Sequence, residues 1–167
     1  GAMGALHEVI PSAKDKRVLI LGAGGAARGA AYGLQKEGAH VTIWNRTLAR
    51  AKEFADLIGI EAIENLESIR EEPDIIINAT AHSSGDRQST LVPFYLWRHV
   101  EVAMDAAYGK TSLFLEEAKA ANVPNTLSGE QWFLNQVFPL FEILTGQKAP
   151  VELMRQLTVE AKEIQRL

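Results

Sequence analysis

The chain contains no cysteine among its 167 residues, which excludes disulfides, thiolate nucleophiles and cysteine-ligated zinc sites. This composition fits a reducing cytoplasm, where we expect the protein to act. Basic residues are also few, because 17 Lys and Arg stand against 21 Asp and Glu and leave a net charge of −4. Nucleic acids and anionic membranes attract basic surfaces, so we expect neither as a partner.

Long apolar runs are absent as well, and no stretch approaches the roughly 18 residues that span a bilayer. The histidines have no spacing that places two of them on one helix face, so we expect no metal site; they are His7, His40, His82 and His99. Only His82, in a loop at a strand end, is a candidate for a functional role. The remaining composition, 47% hydrophobic and 23% charged, is that of an ordinary globular domain.

Short apolar runs alternate along the chain with segments of helical periodicity. The predicted strands are Arg17–Leu21, His40–Trp44, 74–78 and 100–105, and the predicted helices are 26–36, 48–57, 112–121, 129–144 and 151–165. This alternation predicts an α/β fold, a doubly wound Rossmann-like parallel sheet with helices on both faces. Two further short strands, near Glu61–Ile63 and Asn125–Leu127, would give six strands in the order 3-2-1-4-5-6.

A glycine motif follows the first predicted strand and opens a helix rich in small residues. Gly22 permits a tight turn, Gly24 lets the backbone approach a pyrophosphate, and Ala27 stands where a third glycine keeps helix and strand close. The strand, turn and helix context makes this a dinucleotide-binding motif, with the pyrophosphate on the helix N-terminus. The predicted cofactor contacts are Gly22, Ala23, Gly24, Gly25 and Ala26.

The end of the second predicted strand indicates which dinucleotide is bound. Asn45 takes the place where NAD-binding proteins carry the Asp or Glu that holds the ribose 2′-hydroxyl. Arg46 and Thr47 follow it, with Arg50 one helical turn further, and these groups offer donors and guanidinium forks suited to phosphate. The sequence therefore predicts NADP rather than NAD. The alternative interpretation is a solvated basic helix start.

Several motifs in a fixed order resemble the NADP-binding, C-terminal domain of shikimate dehydrogenases, over residues 16–155. They are 22–28 (GAGGAAR), 45–51 (NRTLARA), 78–80 (NAT), Asp105 with Tyr108, and Gly129 with Gln136. The resemblance implies an oxidoreductase of the shikimate pathway of aromatic amino-acid synthesis, which reduces 3-dehydroshikimate to shikimate with NADPH. Whether shikimate or quinate is preferred is left open.

The resemblance also implies roles for individual residues near the reacting ring. Cofactor contacts are implied for Asn78, Ala79, Thr80, Ala106, Gly129 and Trp132, and substrate contacts for Tyr108 and Gln136. The chain departs from the family pattern twice. The stretch 78–86 is longer than in the family and lacks the methionine that the family has there, and Trp132 replaces a second methionine, the one expected beside the nicotinamide. Both departures lie where the ring would sit.

Family members place the Lys and Asp of the acid-base pair in an N-terminal substrate domain, and no segment of this chain resembles that domain. We therefore expect residues 1–15 to be a cleavage remnant and a tether or short helix, and 16–167 to be the NADP-binding domain. No catalytic residue is assigned within this chain, which we expect to bind cofactor but to be inactive alone. The expected partners are the missing substrate domain and the small-molecule substrate.

Two other functions stay open. The chain could be a stand-alone NADP-binding module that senses cofactor or binds a partner. It could also be the cofactor domain of another NADP enzyme, such as a methylenetetrahydrofolate dehydrogenase or a glutamyl-tRNA reductase. Against this last interpretation stand Asp105 with Tyr108 and Gly129 with Gln136.

Overall fold

A single sheet of six parallel strands forms the centre of the computed structural model, which describes residues 1–80, 92–109 and 112–164. The strand order is β3-β2-β1-β4-β5-β6, so the predicted doubly wound topology is confirmed. The bounds of the strands are β1 Arg17–Leu21, β2 His40–Trp44, β3 Glu61–Ile63, β4 Ile75–Asn78, β5 Val102–Asp105 and β6 Asn125–Leu127. Both short strands predicted from weak signals are present.

Six helices accompany the strands within the described residues, with two short 3-10 helices at Leu66–Ser68 and Phe94–Trp97. Their bounds are α1 Ala2–His7, α2 Gly25–Glu37, α3 Leu48–Ile58, α4 Leu113–Ala120, α5 Gly129–Thr145 and α6 Val151–Ile164. Serine residues at the N-cap position precede two of them. The Ser112 hydroxyl accepts from the Leu115 N–H at 3.2 Å, and the Ser128 N–H donates to Gln131 Oε1 at 2.9 Å.

The sheet is buried on both faces because alternate residues of its strands pack into two separate cores. In β1, Val18 and Ile20 lie on the side of α2, whereas Leu19 and Leu21 lie on the side of α4. Burial on both sides explains why the central strands β1, β4 and β5 are nearly continuous apolar runs rather than alternating ones. The buried face of α2 has three small residues that let the helix lie close to the sheet, Ala27, Ala30 and Ala31, followed by the fully buried Leu34.

The predicted tether or short helix, residues 1–15, contains helix α1. Ala5 and Leu6 are fully buried in the core beside α2 and α5. His7 Nε2 lies 3.0 Å from the Glu37 carboxylate at the end of α2. This segment is therefore packed into the described fold, while the predicted division between tether and domain stays a prediction.

Glu8 links the last two helices to α1. Its Oε1 lies 2.5 Å from Arg155 Nη2 of α6 and accepts a hydrogen bond of 2.7 Å from Asn135 Nδ2 of α5. The outer surface of these two helices, which we call the apolar α5–α6 face, exposes Phe133, Leu140, Ile143, Leu144, Leu153, Leu157 and Val159. Each of these side chains is at least 47% exposed within the described part of the chain.

Asp74 holds the amino end of β1. Its carboxylate accepts hydrogen bonds from the Arg17 backbone N–H at 2.8 Å and from the Arg17 guanidinium at 3.1 Å. Burial alone would raise the pKa of Asp74, but the bonds and charge of Arg17 outweigh it and lower the pKa below its ordinary value of 3.8. The carboxylate therefore stabilises the fold above pH 3.8, and this contribution is lost as the pH falls through the lowered pKa.

We expect Asp74→Asn to reduce the free energy of unfolding more at about pH 7 than at about pH 2, because only the ionised carboxylate differs from the amide in charge. Urea unfolding at both pH values measures the difference. The exposed Asp56, varied to Asn, serves as the control and should show no such pH dependence. An equal loss for Asp74→Asn at both pH values would contradict the ion-pair explanation.

Candidate dinucleotide-binding site

The turn after β1 is fixed at the carboxyl edge of the sheet. Gly22 has φ +106°, and a Cβ placed on it would lie 2.7 Å from the Ala79 carbonyl oxygen. Its N–H donates to the Trp44 carbonyl at 2.7 Å, and the Ala79 N–H donates to the Leu21 carbonyl at 2.8 Å. The turn is thus held between the ends of β2 and β4, and a side chain at Gly22 would clash with backbone.

The start of α2 has a different need for glycine. Gly24 and Gly25 are exposed, and a Cβ built on either of them, or on Gly29, would meet no atom within 4 Å. Packing within the described chain therefore gives no reason for glycine there. Because these glycines lack side chains, open space lies beside the N-terminus of α2, a helix of 13 residues. The first N–H groups and the dipole of this helix favour an anion. The site fits a pyrophosphate.

Arg28, in the first turn of α2, supports this glycine turn. Its Nε donates to the Ala23 carbonyl at 3.1 Å, and its guanidinium lies over the Phe54 ring of α3, 5.3 Å from the centroid. Arg28 belongs to the glycine motif, but the motif alone assigns it no role. Its role depends on Phe54, which lies on another helix and becomes a neighbour only in the folded protein.

The end of β2 presents two exposed cations. Asn45 Nδ2 donates to the Thr47 carbonyl at 2.9 Å, and Thr47 directly precedes α3. Arg46 and Arg50 are exposed, and neither side chain forms an ion pair or hydrogen bond with any residue in the described ranges. Their charges are therefore free to meet an anion beside the turn formed by residues 22–25.

A cavity of about 270 Å³ lies between the starts of α1 and α2 and the first half of α5. Four residues with predicted site roles line it, namely Gly25, Ala26, Trp132 and Gln136. Trp132 is only 9% exposed and its indole packs against Gly1, so it forms a wall of the cavity. Gln136 is exposed one turn further along α5. Trp132 and Gln136 thus both line this cavity, and their predicted ligands stay a prediction.

A buried polar network joins the carboxyl ends of β4 and β5. Asn78 and Asp105 are adjacent in the sheet register and both are 0% exposed. Asn78 Nδ2 donates to Asp105 Oδ1 at 3.3 Å, and Asn78 Oδ1 accepts from the Thr80 N–H at 3.1 Å and hydroxyl at 2.7 Å. Asp105 also accepts hydrogen bonds from the Ala107 N–H, at 2.9 Å, and from the Ser112 hydroxyl. Sequence reasoning did not predict this network.

The start of α5 lies directly against the loop after β5. A Cβ on Gly129 would be 2.1 Å from the Ala107 carbonyl oxygen, so only glycine fits there. Tyr108 is 57% exposed, and its ring lies 5.2 Å from that of Phe133 on α5. Within the described residues, Tyr108 is therefore placed beside α5, but it does not line the cavity that contains Gln136.

The remaining predicted residues lie where expected at the carboxyl edge. Ala106 follows β5, and its N–H donates to the Asn78 carbonyl at 2.8 Å. Three further features fall outside the described residues: His82, the stretch 81–86 that departs from the family pattern, and Lys110, a basic residue two positions after Tyr108. No helix in the described ranges has the length and apolarity to cross a membrane, and no cluster of acidic and histidine side chains there is arranged to hold a metal ion.

Comparison with known proteins gives consistent matches. The family model for shikimate / quinate 5-dehydrogenase matches residues 5–86. A shikimate dehydrogenase (NADP(+)) from Methanocella arvoryzae is 38% identical over 168 residues, covering 96% of this chain and 62% of its own length. Another from Aquifex aeolicus is 33% identical, over 90% of this chain and 55% of its own length. The chain therefore spans less than two thirds of these relatives.

Solved structures show the same fold. Shikimate 5-dehydrogenase from Thermus thermophilus, in complex with NADP(H) and shikimate, superposes with a TM-score of 0.82 at 31% identity, covering 96% of this chain and 61% of its own. Ligand-free 5-ketofructose reductase from a Gluconobacter strain has a TM-score of 0.79 at 34% identity, covering 93% and 60%. Both are longer proteins than this chain.

Proposed function

Because this chain belongs to the shikimate dehydrogenase family, we propose that it is the NADP(H)-binding part of an enzyme that reduces 3-dehydroshikimate to shikimate with NADPH in the cytoplasm. The proposal has two parts. One is the cofactor that this chain binds, and the other is the reaction of the longer protein. The first part is argued from the site itself.

The single observation that carries the proposal is the end of β2. Asn45 replaces the carboxylate that would repel a 2′-phosphate, and Arg46 and Arg50 are exposed without an acidic partner among the described residues. Two such guanidinium groups close to a glycine turn with open space provide both anion sites that NADP(H) requires. The α2 N-terminus would hold the pyrophosphate, and the arginines would hold the 2′-phosphate.

In the full enzyme, bound NADPH supplies the hydride. The residues of this chain would hold the cofactor and orient the substrate. Thr80, Ala106 and Gly129 would border the nicotinamide at the carboxyl ends of β4 and β5, where open α/β sheets bind ligands. Tyr108 and Gln136, both exposed, would reach hydroxyl or carboxylate groups of the substrate. Proton transfer is assigned to the substrate domain, because the resemblance places the Lys and Asp pair there.

The apolar α5–α6 face supports the existence of a substrate domain that packs on this chain. It exposes seven large apolar side chains on two adjacent helices, with Ile143 79% and Leu144 74% exposed. Large apolar side chains exposed together on two helices in contact often mark an interaction surface. The relatives are longer than this chain, so the remainder of the same polypeptide is the proposed occupant.

Calorimetric titration of both cofactors into this chain tests the cofactor assignment. We expect NADPH to bind about tenfold or more tightly than NADH, because charge-assisted bonds to the 2′-phosphate form only with NADPH. Equal affinities would refute the role of the arginines. If a longer parent protein instead binds NADPH tightly but does not oxidise shikimate or quinate, that result would favour a cofactor-sensing module or an enzyme with another substrate.

A further inference from the structure

We infer that Asp105 is a positioning residue that couples residues 79–80, directly after β4, to residues 106–108, directly after β5, so that one buried carboxylate influences the position of both. Its relevance to catalysis rests on the proposed function, since these segments border the proposed nicotinamide site. The coupling itself is a property of the described fold and is testable without cofactor.

The surroundings of Asp105 show why it has this influence. The side chain is 0% exposed, and a buried carboxylate is tolerated only where donors surround it. Among the described residues, three segments supply donors to Asp105: Asn78 Nδ2 at the end of β4, the Ala107 N–H in the loop after β5, and the Ser112 hydroxyl at the start of α4. Removal of the carboxylate would take an acceptor from all three donors at once.

Asn78 carries the effect to the segment after β4. Its amide nitrogen donates to Asp105, which orients the amide so that its oxygen faces Thr80. That oxygen accepts from both the Thr80 N–H, at 3.1 Å, and the Thr80 hydroxyl, at 2.7 Å. If Asp105 no longer holds the amide, the amide can turn and the bonds to Thr80 weaken. Asp105 thus acts on Thr80 through Asn78.

On the β5 side, Asp105 fixes the Ala107 N–H at 2.9 Å. The Ala107 carbonyl is the atom against which α5 begins, since a Cβ on Gly129 would lie only 2.1 Å from it. Tyr108 follows in the same loop and contacts Phe133 of α5. The same carboxylate therefore influences where the proposed substrate residue Tyr108 lies.

Amide hydrogen exchange of this chain, followed by NMR without cofactor, tests the coupling. We expect Asp105→Ala, which removes both carboxylate oxygens, to accelerate exchange by about tenfold or more at the amides of both Ala107 and Thr80. Ser112→Ala is the matched control, because it removes one Asp105 partner but leaves Asn78 held, so the Thr80 amide should be unchanged. Unchanged exchange at Thr80 in Asp105→Ala, or equal acceleration in Ser112→Ala, would overturn the inference.

Thr80→Val provides a second test should Asp105→Ala fail to fold. It removes the 2.7 Å bond to Asn78 at a half-buried position, and reciprocal coupling predicts faster exchange at the Ala107 amide. An unaffected Ala107 amide would overturn the inference. Titration of NADPH and NADH into Asp105→Ala separates this inference from the proposed function. We expect both affinities to fall by a similar factor, while failure of the unmodified chain to bind NADPH would refute the proposed function alone.

Discussion

Replacement of Arg46 by alanine is expected to weaken NADPH binding about tenfold and to leave NADH binding nearly unchanged. A charge-assisted hydrogen bond contributes about 1.5–3 kcal/mol, and the lower end applies because Arg46 is exposed and screened by solvent. The unmodified ribose of NADH offers this side chain no anion. Calorimetric titration of both cofactors into the variant measures the two changes.

Arg70→Ala is the matched control for Arg46→Ala. Arg70 is also exposed, but it precedes β4 and lies near Arg17 at the amino end of the sheet, away from the proposed site. Arg70→Ala removes the same positive charge as Arg46→Ala, so any effect of net charge alone would appear in both variants. The fold should survive in each, because surface substitutions change stability little. A parallel loss of NADH affinity in Arg46→Ala would mean that Arg46 contacts the shared part of the cofactor or supports the fold.

The second large effect concerns catalysis by the chain alone. We expect no appreciable shikimate:NADP oxidoreductase activity, less than about a thousandth of the rate of a full-length enzyme, although the chain binds NADPH. Correct orientation and acid-base catalysis each contribute orders of magnitude to an enzymatic rate. Tyr108 and Gln136 alone do not position a polyhydroxylated acid, and a water-poor cleft requires the second domain. The measurement is NADPH formation from shikimate at micromolar chain concentration.

The control for this assay is a full-length shikimate dehydrogenase at the same concentration, with calorimetry on the same sample to establish that the chain binds cofactor. Addition of a separately expressed substrate domain of the parent protein should restore activity if it docks on the apolar α5–α6 face. Robust turnover by the chain alone would overturn the expectation. The search for a base would then begin with Tyr108, Lys110 and His82.

Much of the cofactor site was predictable because its chemistry lies in short stretches of sequence. Gly22 to Ala26 and Asn45 to Arg50 each lie at the end of a strand, and the carboxyl ends of parallel strands meet at one edge. The part of the site formed by α5 was less predictable. Trp132 was expected beside the nicotinamide, yet only the packing of α1 shows that its indole forms a buried wall of the cavity.

The sequence by itself determined the fold class and strand order, because burial on both faces of a sheet produces apolar runs that can be recognised locally. It also determined the predicted preference for NADP, because that preference depends on which residue types end β2. Only the tertiary structure decided contacts between residues far apart in the chain, such as Asn78 with Asp105, Arg28 with Phe54, and Glu8 with Arg155. A hydrogen bond or ring contact requires two partners, and local periodicity describes only one of them at a time.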